Sequence, residues 1–145
     1  MRVQDAEHNI VVSNDLNEIT VVMEAFDAFA ASCAVPAAIA TRFCLIFDEM
    51  LSNIIYYGYP EPAGQKSSRE IRVAMQRRGE QVSVTISDDG IPFDPFAATP
   101  PNVDLPLEDR EIGGLGIHMV RNMVHHAHYR REDGRNIITL IQQLN

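Results

Sequence analysis

Apolar positions in this chain recur with two different periods, and the places where the period changes mark out its elements. Residues 8-HNIVVSN-14 hold a short apolar run between polar flanks and predict a strand. From Leu16 to about Cys33, Ile19, Val22, Met23, Phe26, Phe29 and Ala30 return every three or four positions. That spacing predicts a helix, with Asn14 or Asp15 available as a cap and Glu18 in the first turn. Pro36 suits the first turn of a second helix, which continues through 42-RFCLIFDEMLSNIIYYG-58. Beyond Gly58, the polar stretch 60-PEPAGQKSS-68 predicts a surface loop.

The period then drops to two. Residues 69-REIRVAMQRR-78 and 80-EQVSVTIS-87 alternate around Gly79-Glu80 and predict an antiparallel hairpin. Five of the eight prolines fall between Pro92 and Pro106, so residues 90–112 are expected to hold no regular structure. A connection of that length is usually functional or disordered. A third helix over 115-LGIHMVRNMVHH-126 follows, then strands 127-AHYRRED-133 and 136-NIITLIQQL-144 turned by Asp133-Gly134. The order βααββ, long loop, αββ joins neighbouring strands by tight turns. It predicts an α+β fold of two layers, a mostly antiparallel sheet with about three helices on one face.

Composition narrows the class. The chain of 145 residues fits one domain, 1–145, with a single sizeable core. Its formal charge of -8, with Lys and Arg in nothing longer than short pairs, leaves no footprint for a nucleic-acid backbone. No apolar run reaches the ~18 residues of a membrane helix, and the polar opening does not resemble a signal peptide; a cytoplasmic protein is expected. Cys33 and Cys44 both lie in apolar helical runs and are expected as buried, reduced thiols. His125, His126 and His128 straddle an expected helix end and strand start, so their side chains need not converge on a metal.

Three stretches carry candidate chemistry, each with two readings. In 48-DEMLSN-53, Glu49 and Asn53 stack four apart beside the apolar stripe of the second helix. They are either solvated residues on a half-exposed face or a cleft pair: an amide oxygen for a hard cation such as Mg²⁺, and a carboxylate able to take a proton. In 86-ISDDGIPFDP-95 a strand ends in Asp-Asp-Gly, which is either a simple turn or a carboxylate, Asp88, offered to an amino group beside a glycine, Gly90, that lets a ligand approach the backbone. The segment 113-GGLGIHMV-120 lacks the Lys-Ser/Thr of a P-loop and the preceding strand of a dinucleotide fingerprint. It is either a tightly packed helix start or a loop closing over an anion at a helix N-terminus.

Taken together, Glu49-x-x-x-Asn53, Asp88-x-Gly90 and Gly114-x-Gly116, in this order, resemble the GHKL ATPase superfamily of gyrase, Hsp90, histidine kinases and MutL. Within it the chain is most similar to the bacterial anti-sigma-factor serine/threonine kinases, on the wording of 48-DEMLSNIIYYGY-59, 88-DDGIPFDP-95, 113-GGLGIHMV-120 and 133-DGRNIITL-140. The resemblance implies a Bergerat-type α/β sandwich that binds ATP with Mg²⁺, with residues 90–113 as the ATP lid. It makes Asn53 the Mg²⁺ ligand, Glu49 the general base and Asp88 the contact to the adenine amino group. Gly90 allows close approach, Gly113, Gly114 and Gly116 form the lid hinge and phosphate cradle, and Thr139 helps hold adenine through water.

The resemblance also implies partners. Such kinases phosphorylate a serine or threonine of a small STAS-type anti-anti-sigma protein, often hold a sigma factor or another regulator, and often form a homodimer. One departure is Pro92, where many superfamily members carry the last glycine of Asp-x-Gly-x-Gly; proline there is common in this kinase subgroup. Two rivals stand beside this reading. One is a non-catalytic module that uses ATP only to set its shape, against which the retained Glu49 argues. The other is a histidine kinase catalytic domain, for which a dimerisation helix bearing a phospho-accepting His would be expected ahead of the first strand.

Overall fold

The computed structural model describes residues 5–59, 69–97 and 114–144, with the backbone only for 114–118. Its elements are β1 (Ala6–Val12), α1 (Glu18–Ser32), α2 (Ala37–Tyr57), β2 (Ile71–Arg78), β3 (Gln81–Asp88), a 3-10 turn at Pro95–Ala97, α3 (Gly114–Met123), β4 (His126–Glu132) and β5 (Arg135–Gln143). The strands form one sheet in the order β1-β2-β3-β5-β4 with every pairing antiparallel. The expected α+β sandwich is therefore observed.

The sheet order follows from which strands have an apolar face. In β3 and β5 every second residue is buried, from Val82 to Asp88 and from Asn136 to Gln142, so both occupy the middle. In β4, Arg130, Arg131 and Glu132 are exposed, and a charged strand of this kind belongs at an edge, where it discourages further pairing. Asp133 and Gly134 both take positive φ, 52° and 76°, which suits the turn of a two-residue hairpin and fixes the β4–β5 register.

Against this sheet α1 buries Ile19, Val22, Phe26, Phe29 and Ala30, and α2 buries Phe43, Ile46, Phe47, Met50 and Ile54. Phe26 joins the two helices: its ring centroid lies 5.0 Å from that of Phe43 and 5.3 Å from that of Phe47. Tilted and edge-on aromatic contacts of this kind add to the area they bury.

The structure adjusts several boundaries and burials, and β1 runs over Ala6–Val12 rather than 8–14. The first helix begins at Glu18 rather than Leu16, because Asp15 accepts the N–H of Asn17 on its side chain and that of Glu18 on its carbonyl, holding a turn ahead of the helix. The third helix stops at Met123, since the N–H of His125 already donates to the carbonyl of Ile141 and leads into β4. The described part of the span expected to lack regular structure, residues 90–97, contains a 3-10 turn, in which Asp94 accepts the N–H of Phe96. Cys33 is buried as expected, but Cys44 is only half-buried; burial, then the neighbouring Asp27, pushes its thiol up to about 11.

Of the three histidines at the helix–strand junction, His126 and His128 stand on β4 while His125 accepts the N–H of Gln143 on its ring. No helix among the described residues is long and apolar enough to cross a membrane.

Arg77 ties α1 to the sheet. Buried at the end of β2, it donates to the carbonyls of Cys33 (2.7 Å), Ala34 (3.1 Å) and Gly79 (3.0 Å) and pairs with Glu80 at 3.5 Å. Two of those carbonyls end α1, where Ala34 takes a left-handed φ of 58°. Arg77→Met should keep the volume but strand these carbonyls, and lower stability by about 2–4 kcal/mol. Urea titration would show it as a lower midpoint at unchanged slope.

Candidate functional site

The candidate site forms where the C-terminal half of α2 meets the end of β3. On α2 the apolar stripe faces the core, and Glu49 and Asn53 stand one turn apart beside it. Asn53 is 6% exposed, and its Nδ2 donates to the carbonyl of Glu49 at 2.6 Å. Its Oδ1 accepts nothing among the described residues. A buried amide oxygen left without a donor suits a hard cation, which takes oxygen ligands. Burial, and then the charge of Asp48, raises the Glu49 carboxyl above its ordinary value and makes it a stronger base once ionised.

The end of α2 is locked to the segment after β3. The carbonyl of Gly58 accepts the N–H of Ile91 at 2.8 Å. Gly90 packs so closely on that carbonyl that a Cβ would collide with the Gly58 oxygen and lie 2.9 Å from Asp88 Oδ1. Next to it, Asp89 accepts from the Tyr59 hydroxyl (3.1 Å) and from the N–H of Glu70, while its carbonyl accepts from Arg69. Asn53 lies five residues before Gly58, or about 7–8 Å along a helix, and Asp88 two before Gly90. The clamp therefore sets the α2 pair and Asp88 in a fixed relation.

Asp88 is 1% exposed. Its Oδ1 accepts from the N–H of Gly90 and from Asn136 Nδ2, each at 2.9 Å, and Oδ2 has no partner among the described residues. Burial raises its carboxyl above the usual carboxylate range, while the Asn136 and Gly90 donors and the Arg135 guanidinium draw it back down. An ionised, nearly dry carboxylate with one free oxygen can accept a hydrogen bond from a ligand's amino group.

Thr139 departs from expectation. It pairs with Thr85, whereas Asp88 pairs with Asn136, so Thr139 lies on the opposite face of the sheet from Asp88. Asn136, absent from the sequence reading, takes the place beside Asp88. Its signal was a polar residue at a core-face position of β5, in step with Ile138 and Leu140.

Gly114 and Gly116 contribute their backbones to the first turn of α3, and Gly113 lies outside the described residues. Of the expected lid, residues 90–97 are held down: Gly90 and Pro95 are buried, and the carbonyl of Phe96 accepts from Arg121 on α3. Residues 98–113 lie outside the described residues.

Two substitutions test this geometry. Gly90→Ala forces the clamp apart and should cost about 1–3 kcal/mol in a denaturant titration. For Asp88, a carboxyl whose folded pKa is raised binds protons more readily when folded, so its ionisation lowers stability as pH rises from the ordinary carboxylate range through the raised value. Asp88→Asn removes that charge and leaves an oxygen for both donors. At neutral pH the variant should melt at or a few degrees above the wild type, and the difference should close as pH falls into the carboxylate range, read by calorimetry at both pH values.

Residues 12–142 match the family described as the histidine kinase-like ATPase domain. The serine/threonine-protein kinase BtrW of Bordetella bronchiseptica is 34% identical over 101 residues, covering 68% of this chain and 68% of that protein. The family match over residues 12–142 takes in the second helix with Glu49 and Asn53, the β3 end with Asp88, and the start of α3, and ATP is the ligand it implies. The chain belongs to the histidine kinase-like ATPase domain family, whose α+β sandwich it has.

Proposed function

We propose that this protein is an ATP-dependent protein serine/threonine kinase of anti-sigma type, which phosphorylates a STAS-type antagonist and holds a sigma factor or another regulator in a partner switch. The observation that carries the kinase reading is Glu49: a half-buried carboxylate of raised basicity, one helical turn from a buried amide oxygen with no donor among the described residues. A module that only sensed ATP would need the oxygen and not the base. Similarity to a protein named as a serine/threonine kinase supports the same reading.

The residues divide the work. Asp88 accepts the amino group of adenine on Oδ2, with Oδ1 already held by two N–H donors. Asn53 would hold Mg²⁺ through Oδ1, with water and phosphate oxygens as the other ligands. When bound, the ion neutralises charge on the phosphates. The backbone of α3 opens at Gly114 and Gly116, and a helix N-terminus presents free N–H groups that favour phosphate oxygens. Glu49 takes the proton from the incoming serine or threonine hydroxyl on its carboxylate.

Transfer of labelled phosphate from ATP to a serine of a STAS-domain protein tests the proposal. Glu49→Gln should lower the transfer rate about 10²–10⁴-fold while ADP affinity stays within about threefold. Because the base must be ionised and its pKa is raised, the wild-type rate should climb with pH through that value, and the residual Glu49→Gln rate should not. Full transfer by the variant would remove Glu49 from the chemistry. Nucleotide binding without transfer by the wild type would favour the non-catalytic module.

A further inference from the structure

Among the described residues near the site, Asn136 makes the most side-chain hydrogen bonds. It is 1% exposed, stands opposite Asp88 in the β3–β5 ladder, and its amide is used completely. Nδ2 donates to Asp88 Oδ1 at 2.9 Å and to the carbonyl of Ile91 at 2.8 Å. Oδ1 accepts from the Tyr129 hydroxyl at 2.6 Å, from Arg131 Nη1 at 3.2 Å and from the N–H of Phe93 at 3.2 Å. Turning the amide over would set its oxygen against two acceptors and its NH₂ against three donors. Only one orientation is therefore compatible with its neighbours.

That fixed orientation has a consequence for Asp88. With Asn136 Nδ2 and the N–H of Gly90 both on Oδ1, the lone pairs of that oxygen are taken and a proton has no place on it. Oδ2 is left as the oxygen that meets a ligand, and as long as the group is ionised it only accepts. Without the Asn136 donor the carboxylate would be free to rotate, and burial would favour its protonated form, which could donate where an amino group also donates.

We infer that Asn136 is a positioning residue for base selectivity: by holding Asp88 Oδ1 it commits Oδ2 to accept an exocyclic amino group, so the site prefers a 6-aminopurine nucleotide over one lacking that group. This rests on the nucleotide reading above, and goes beyond it by naming the residue that sets the selectivity. Asn136 touches no part of the base in this account and acts only through Asp88.

The test compares binding of ADP with that of purine riboside 5′-diphosphate, which lacks only the 6-amino group, by titration calorimetry. Wild type is compared with Asn136→Thr and Asn136→Val, each first checked for a cooperative thermal transition. Threonine and valine have the same shape and suit a strand, but only threonine offers Asp88 a donor. Wild type should bind ADP about ten- to a hundredfold more tightly than the analogue, the effect of one hydrogen bond to a charged group. Asn136→Val should bring that ratio to within about threefold, mainly through weaker ADP binding, and Asn136→Thr should keep a larger part of it. Tyr129→Phe leaves the strand intact and removes one donor from the amide, so it gives an independent reading if the valine variant does not fold; its ratio should fall severalfold.

A ratio unchanged in Asn136→Val, or in Tyr129→Phe where that variant is the one read, overturns the inference. So does equal weakening of both nucleotides, which marks a purely structural role. If wild type binds both nucleotides equally well, the inference fails while the nucleotide site survives. Binding of neither by wild type removes the nucleotide reading and this inference together.

Discussion

The contact between Gly58 and the Gly90–Ile91 backbone is the constraint on which the rest of the site depends. A helix end and a strand end meet there, and they can meet only because residue 90 has no side chain. Three side chains with candidate chemistry hang from one side or the other: Glu49 and Asn53 from α2, Asp88 from β3. The surrounding bonds, Tyr59 and Arg69 to Asp89 and Arg131 to the carbonyl of Gly90, hold the same junction from its two flanks. The segment after β3 is thus part of the body up to Ala97, even though its prolines and length suggest a loop.

Around that junction the interior is unusually polar for a core built from Phe26, Phe43 and Phe47. Asn53, Asp88 and Asn136 are all buried, and two of the three leave an oxygen without a donor among the described residues. Buried acceptors without donors destabilise the fold, and a protein keeps them where a ligand is to supply the missing partner. The Asp88 carboxyl shows the balance directly: burial works against its charge, and Asn136, Gly90 and Arg135 work to preserve it. Its tendency to protonate and its readiness to accept from an amino group have the same cause, the exclusion of water.

Much of this was legible in the residues. Period-three-to-four spacing from Ile19 to Ala30 and through Phe43, Phe47 and Ile54 marks α1 and α2, and alternation marks β2, β3 and β5, because burial on one face leaves that imprint. Glu49, Asn53, Asp88 and Gly90 stood out as polar or small residues at odds with their surroundings. Thr139 was misplaced by the resemblance: it lies in the right strand but out of phase by one, and in a strand a single step changes the face. Asn136 escaped notice because its importance is its partners, Tyr129, Arg131 and Phe93, which the chain folds around it from separate segments. Strand order was not legible as an order, only as a tendency: β5 reaches β3 because it is apolar enough for the middle, and β4 takes the edge because it is charged.

The most direct test of the central claim, that Asn53 and Asp88 serve one nucleotide site, is the melting temperature of wild type and Asn53→Ala against ADP with and without Mg²⁺. Ligand at a hundred times its dissociation constant stabilises a fold by about 2.7 kcal/mol, several degrees for a chain of this size. Wild type should shift upward, and more strongly with Mg²⁺ present; Asn53→Ala should show no added effect of the ion. A wild-type melting temperature that does not move at millimolar nucleotide, with or without Mg²⁺, would contradict the account.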